Sequence, residues 1–401
     1  MPRGGRSAAL AALADIDPVA YARTRNHLDG AVTRLSPYLR HGVLSLAEVR
    51  RAALAKAGPA GAAKLVNELS WRDFYQRVHA VLGQRIWEDI EPYKTGRPAR
   101  AYSWSMPSDV EEGRTGLACV DDWREELVAT GYLHNHARMW LASFLVHHRL
   151  VAWQAGARWF LTHLLDGDPA SNNLSWQWVA STWRRAPYLW NRENLLANGG
   201  ERHCSHCPLR LSGCPFATSY AELTERLFPS GPQAVEPGGD LRELLRSVPG
   251  DVAADPGRTK DPVLVWVHGE RLSPTNEAVT AYPDAPAVFV WDEDLWRRNR
   301  YAPARARFIR ECLDEVPVAV ERGDVAAVVR ERARASGVRT VATTASPSAR
   351  FGAIVRAVRD SGLEVLVHPS EPFVTAPGHL DLRRHASYWH AVKADALGGS
   401  G

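Results

Sequence analysis

Asn135, Arg138 and Met139 fall at i, i+3 and i+4, a spacing that sets an amide, a guanidinium and a thioether on one helix face. Further on, DGDPASNNLSWQW packs Asp166, Asp168, Asn172 and Asn173 just ahead of Trp176 and Trp178. Two carboxylates, amides and indoles at that density are costly to bury unless a polar ligand satisfies them. A large aromatic heterocycle with hydrogen-bonding edges and phosphates would do so.

Three other stretches could carry chemistry. Glu68, Trp71 and Arg72 repeat the i, i+3, i+4 spacing in NELSWRDFY, a pattern that ordinary helix packing also produces. AVTRLSPYL suits a loop followed by a helix start, with Ser36 a candidate N-cap before Pro37. Free N–H groups and hydroxyls at such an end make a phosphate cradle, although a cap without a ligand would look the same.

The cysteines are the third. Cys204 and Cys207 form a CxxC, and Cys214 follows, directly before Pro215. In a chain read as cytoplasmic, that spacing indicates metal or redox chemistry before a disulfide. A zinc site would take His203 or His206 as its fourth ligand. An iron–sulfur cluster would need a fourth thiolate, which Cys119 could supply. Cys312 reads as a core residue.

Helices must position these groups. VDDWREELVATG, HNHARMWLASFLVHH and WQAGARWFLTHLL show apolar spacing near the helical period, so the chain reads as all-helical to about Leu164. From Val263 the period changes. VLVWV, AVFVW, VAV, TVATT and EVLVH are short apolar strands with helical stretches between them. That alternation implies a Rossmann-like parallel sheet covered on both faces. The expected domains are therefore a helical one over 1–229, a Pro- and Gly-rich linker over 230–261, an α/β domain over 262–376, and a C-terminal helix and tail over 377–401.

Composition agrees with a globular chain of 401 residues, 45% apolar and 23% charged. No apolar run reaches the length of a membrane span, and the N-terminus lacks the apolar core and cleavage site of a signal peptide, so a cytoplasmic protein is expected. The net charge is +4, and the positive excess lies in the first 230 residues, which suits a polyanionic partner or a merely solvated surface. Lysine is scarce, so phosphate contacts would fall to arginine.

The run from Trp71 through HNHARM, DGDPASNN and WQW resembles the flavin-binding domain of the photolyase/cryptochrome family. The resemblance implies a folded FAD held by Tyr21, Thr33, Leu35, Ser36, Trp71, Arg72, Arg138, Asp166, Asp168 and Asn172. Val32 departs from the family's usual Thr, which removes one hydroxyl. In the family, blue light excites FADH⁻, which passes an electron to a pyrimidine dimer and so splits it. Glu68, Trp71, Asn135, Met139 and Trp178 match residues that meet a cyclobutane dimer, whereas (6-4) enzymes carry His at the position of Asn135. Trp176, Trp153 and Trp104 match a photoreduction chain, although most of the 15 Trp must be plain core.

HCSHC…CPF, with Cys119 upstream, resembles the iron–sulfur bacterial branch. It implies a [4Fe–4S] cluster on Cys119, Cys204, Cys207 and Cys214, with zinc as the alternative. That branch is associated with (6-4) repair, and the pocket residues argue the other way. The α/β region is similar to the domain in which photolyases carry an antenna chromophore; in most of the family it comes first, so the order here is permuted. The expected function is cyclobutane-dimer photolyase, with a cryptochrome-like photoreceptor or a (6-4) photolyase as alternatives. The expected partner is dimer-containing DNA, single-stranded or flipped from a duplex, met by a monomer with no membrane involved.

Overall fold

The computed structural model describes residues 2–228, 230–231, 240–251, 257–376 and 378–399. The longer helices that carry candidate residues or pack on them include α1 (Leu46–Leu82), α2 (Ala118–Thr130), α3 (Asn135–Ser143), α4 (Trp153–His163), α5 (Pro169–Ala180) and α6 (His385–Ala396). The sheet is made of β1 (Val263–Val267), β2 (Ala287–Trp291), β3 (Ala319–Arg322), β4 (Thr340–Thr344) and β5 (Glu364–His368).

The chain divides into two compact units. One comprises Val19–Val32 and Arg85–Arg246; the other comprises Pro2–Pro18, Thr33–Gln84 and Ser247–Gly401.

The first unit is helical, around a core in which Trp123, Trp140, Trp153 and Trp190 are buried with Leu133, Leu141 and Phe160. Burying such indoles contributes more per residue than any aliphatic side chain could. Gly131 ends α2 at φ 69°, and a Cβ there would come within 2.7 Å of the Leu165 side chain. Glycine at this point lets Leu165 N reach Gly131 O at 2.8 Å, which fixes the loop that carries Asp166. HNHARMWLASFLVHH is not one regular helix. It is α-helical to Ser143 and then widens into a π-helical turn over Phe144–His148, with Arg149 N donating to Phe144 O at 3.1 Å.

The second unit holds the five-stranded parallel sheet, in the order β3-β2-β1-β4-β5. Every residue of β1 and β4 is buried, as central strands covered on both faces require; β1 is an unbroken apolar run, whereas β4 is TVATT. VAV at 318–320 is the least well anticipated strand. β3 runs Ala319–Arg322 and is largely exposed at the sheet edge, so no alternation marks it. Connections step outward from β1 in one direction and then return to β4 on its other side, a topological switch between β1 and β4.

α1 starts at a capping box in which Ser45 Oγ accepts from Glu48 N and the Glu48 carboxylate accepts from Ser45 N. Gly58, at φ 62°, breaks the helix just before Pro59, whose ring cannot continue the hydrogen-bond ladder. Contacts divide the chain differently from the expected boundaries, because Pro2–Pro18 and Thr33–Gln84 join the unit of the sheet. The reason is that α1 packs on α6. The His385 ring stacks on Trp71 at 3.7 Å and 11°, Ser70 Oγ and His385 Nε2 are 2.9 Å apart, and the Tyr388 hydroxyl donates to Asp73. Within the expected linker, 232–239 and 252–256 lie outside the described residues; the rest contains the helix Asp240–Leu244 and the pair Val248–Pro249, which bonds to His379–Leu380.

Candidate functional site

In the first unit, α3 presents Arg138 toward the loop ahead of α5. Arg138 Nη2 donates to Asp166 Oδ2 at 2.9 Å, Nε donates to Leu133 O at 2.8 Å, and the guanidinium lies 5.6 Å from the Tyr132 ring centre. Asp166 is buried, so the pair forms in a medium where each charge needs the other. Asn135 opens α3 on the exposed side and donates to Met139 Sδ at 3.5 Å, which brings the two expected substrate residues together.

Asp168 is also the N-cap of α5. Its Oδ2 accepts from Ser171 N at 3.0 Å and from Ser171 Oγ at 2.8 Å. Asn172 spends both amide hydrogens on the protein, reaching Ala157 O at 3.0 Å and Asn173 Oδ1 at 3.1 Å. Only its carbonyl oxygen is left to meet a ligand. Trp176 packs edge-on against Phe160 at 4.9 Å, over Gly156, where a Cβ would come within 2.3 Å of the indole. Among the described residues, Trp176 Nε1 and Asn173 Nδ2 are buried donors with no hydrogen-bond partner. Such donors are uncommon in a finished interior and fit a polar ligand with acceptor groups, as FAD is.

Trp178 is half-buried, with the Arg184 guanidinium 4.1 Å above its ring. Ser181 at φ 72° ends α5 and turns the chain so that Arg184 folds back. Burial lowers the pKa of Arg184, and its Nη1 is buried without a partner. Nothing in the WRR tripeptide announces this arrangement.

The expected relay is only partly in contact. Trp153 is fully buried, with Nε1 donating to Asp89 Oδ1 at 2.6 Å and Trp87 stacked on its ring at 6.3 Å and 9°. Trp104 is 62% exposed, 5.8 Å from the Arg158 guanidinium, which also lies 4.9 Å from Trp87. Asp89 and Trp87 carried no signal in the sequence. Tyr21 is half-buried in the helix Pro18–Thr24.

The four expected thiols gather at one end of α2. Burial raises the Cys119 pKa, and the nearness of Cys207, Cys214 and Cys204 raises it further. Even so, no three His, Cys, Asp or Glu groups among the described residues are arranged as a metal site. The hydrogen bonds of His203 bear on one of the alternatives. Trp123 Nε1 can only donate, and it donates to His203 Nε2 at 3.1 Å; His203 Nδ1 therefore carries the hydrogen and gives it to Asp122 Oδ2 at 2.7 Å. Both ring nitrogens are engaged, which removes His203 as the fourth zinc ligand. His206 is exposed and meets Asp122 at 3.1 Å.

The remaining expected residues lie in the second unit. Leu35, not Ser36, is the N-cap position of the helix Ser36–Arg40; it has no side-chain cap bond, so Ser36 is its first helical residue and the expected cap is displaced by one. Thr33 Oγ1 accepts from Leu35 N at 3.4 Å. Glu68 pairs with Lys64 at 2.8 Å, Trp71 lies under His385, and Arg72 is half-buried one residue on. The sheet carries a cleft of about 550 Å³ lined by Trp291, Trp296, Tyr301, Arg297, Arg310 and Arg322.

Residues 65–197 match the family described as the FAD binding domain of DNA photolyase. The deoxyribodipyrimidine photo-lyase of Streptomyces griseus is 42% identical over 156 residues, which are 38% of this chain and 32% of that protein. The deoxyribodipyrimidine photo-lyase of Thermus thermophilus is 38% identical over 219 residues, 51% of this chain and 49% of that protein. The chain thus spans from about a third to about half of the length of these curated relatives. Among solved structures, a bacterial class III photolyase from Agrobacterium tumefaciens is similar over 56% of this chain and 55% of that one, at 24% identity and a TM-score of 0.45. No described helix is long and apolar enough to cross a membrane.

Proposed function

We propose, for a chain that belongs through residues 65–197 to the photolyase/cryptochrome family, that the protein is a light-driven enzyme splitting cyclobutane pyrimidine dimers in DNA. One observation carries this reading: the matched residues hold both the Arg138–Asp166 pair, its carboxylate buried, and the partnerless donors of Trp176 and Asn173. Bound FAD would supply the electron that light releases. Arg138 would hold positive charge against the pyrimidine-like edge and favour the anionic reduced form. Asn172 would accept rather than donate, because its amide hydrogens are already used. Trp176, Trp153 and Trp104 would pass electrons inward.

Asn135, Met139 and Trp178 would meet the dimer, and the family resemblance gives Glu68 and Trp71 a substrate role as well. Stacking on an indole is worth about 1–3 kcal/mol per base. The lesion must leave the duplex or come from a single strand to be reached. The thiols of Cys119, Cys204, Cys207 and Cys214 would hold a [4Fe–4S] cluster, a reading supported by the engagement of His203 elsewhere. The aromatic cleft beside the sheet would take an antenna chromophore. The protein would act in the cytoplasm as a monomer, with the family's two domains in exchanged order.

One contact favours a second reading, a cryptochrome-like photoreceptor: His385 already covers one face of Trp71. Illuminating a thymine-dimer oligonucleotide with the reduced protein separates the two. Thymine absorbance that returns only in blue light supports repair; no return on single- or double-stranded substrate supports the photoreceptor.

A further inference from the structure

We infer that Asp89 takes the indole proton of oxidised Trp153, so that the hole left by light-driven electron transfer stops at Trp153 and not at the exposed Trp104. The inference rests on the electron-transfer reading of Trp176, Trp153 and Trp104 proposed above.

The contacts of Asp89 are directional. Trp153 Nε1 donates to Asp89 Oδ1 at 2.6 Å, and Gln154 Nε2 reaches the same oxygen at 3.3 Å. The indole is completely buried, so the carboxylate and not water answers its N–H. A charge-assisted bond of this length is among the stronger hydrogen bonds a protein makes. It also places a negative charge beside the ring that oxidation would make positive, which stabilises the hole there.

Conditions differ one step outward. Arg158 holds its guanidinium 4.9 Å from the Trp87 ring and 5.8 Å from the Trp104 ring. A cation over a neutral indole is favourable, but over an oxidised indole it is repulsive. Trp87 is stacked on Trp153, and the guanidinium that faces Trp87 also faces Trp104, so a hop to either ring runs against charge while Trp153 is held by Asp89. On the inner side, Trp153 and Gly156 sit three residues apart on one face of α4, and Trp176 packs on Gly156.

Asp89 is suited to keep a proton. Burial raises its carboxyl pKa, against the Trp153 and Gln154 hydrogen bonds that lower it. Tyr93 and Tyr102, two titratable groups that feel its charge, are themselves pushed upward by burial and stay neutral.

The step balances within the chain. Trp176, oxidised by bound flavin in the light, regains one electron from Trp153. The Nε1–H bond of Trp153 breaks, its electron pair stays on nitrogen, and the proton bonds to Asp89 Oδ1. A neutral indolyl radical and a neutral carboxylic acid result. One electron from a thiol in solution, with the proton returned by Asp89, restores both groups.

The test is flash absorption spectroscopy of the flavin-loaded full chain, in which cationic and neutral tryptophan radicals have distinct bands. The expected result is a long-lived neutral radical that survives Trp104→Phe and is lost in Trp153→Phe. Asp89→Asn keeps an acceptor for the hydrogen bond but cannot take the proton, so the radical stays cationic and decays several-fold faster. Asp89→Glu restores the neutral radical. An unchanged neutral radical in Asp89→Asn, or its loss in Trp104→Phe, overturns the inference while leaving electron transfer intact. A flavin-loaded protein that forms no tryptophan radical at all overturns the electron-transfer reading as well.

Discussion

Arg138 and Asp166, 28 positions apart in sequence, meet through Nη2 and Oδ2 at 2.9 Å, and the carboxylate side chain is only 4% exposed. The pair closes the end of α3 onto the loop before α5, the two segments that carry most of the polar candidates. Breaking a buried pair by removing one partner costs about 3–5 kcal/mol, because the other charge is stranded. Arg138→Ala should therefore lower the urea midpoint and empty the flavin site. Arg138→Ala protein that is as stable as the unaltered chain and retains full FAD would show that the pair matters to neither.

The thiol cluster makes a sharper distinction. Cys119→Ser should lose iron, whereas His203→Ala should keep it, since both His203 ring nitrogens are spent on Trp123 and Asp122. Elemental analysis of protein purified without oxygen measures this directly. Zinc in place of iron, released by His206→Ala, would reverse the assignment.

In the proposed reading, Trp178 and Glu68 would serve substrate and not flavin. Trp178→Ala should weaken binding of a dimer-containing oligonucleotide by about 1–3 kcal/mol, the worth of one stacked base. Glu68→Ala should slow repair. Both proteins should keep their flavin, as read from visible absorbance. If flavin disappears in both, these residues belong to the cofactor site instead.

Acid should weaken the fold through two histidines. Burial pushes His147 down to about 3 and His148 down to about 4, both below the ordinary value of 6.5. The unfolded chain then binds protons that the folded chain refuses, so stability is complete above the unfolded value and falls as pH drops toward the folded ones. Each histidine contributes about 1.4 kcal/mol per pH unit in that window. Thermal midpoints measured between about pH 7 and about pH 5 should fall, and His147→Phe should flatten the slope. A slope that His147→Phe leaves unchanged would remove His147 from this account.

The parts of the site that sequence made legible are those written in short spacings. Asn135, Arg138 and Met139 share a helix face because three and four residues make a turn; the strands at 263–267 and 287–291 stand where unbroken apolar runs put them, and those at 340–344 and 364–368 where short runs rich in Val and Thr do. The contacts that reshape the site come from far away in the chain. His385 reaches Trp71 across 314 positions, a relation no local period encodes. Asp89 and Arg184 look like ordinary surface charges in WED and WRR until the fold turns them onto Trp153 and Trp178. Ser36 is displaced by one position because Pro37 fits the first turn at either register.

The central claim is that the polar groups around Arg138, Asp166 and Asn172 enclose a flavin. The most direct measurement is the visible absorption spectrum of the purified chain, followed by titration with FAD. The account predicts flavin bands with one FAD per chain, either retained on purification or restored by titration. Folded protein that is colourless and takes up no added FAD would contradict it.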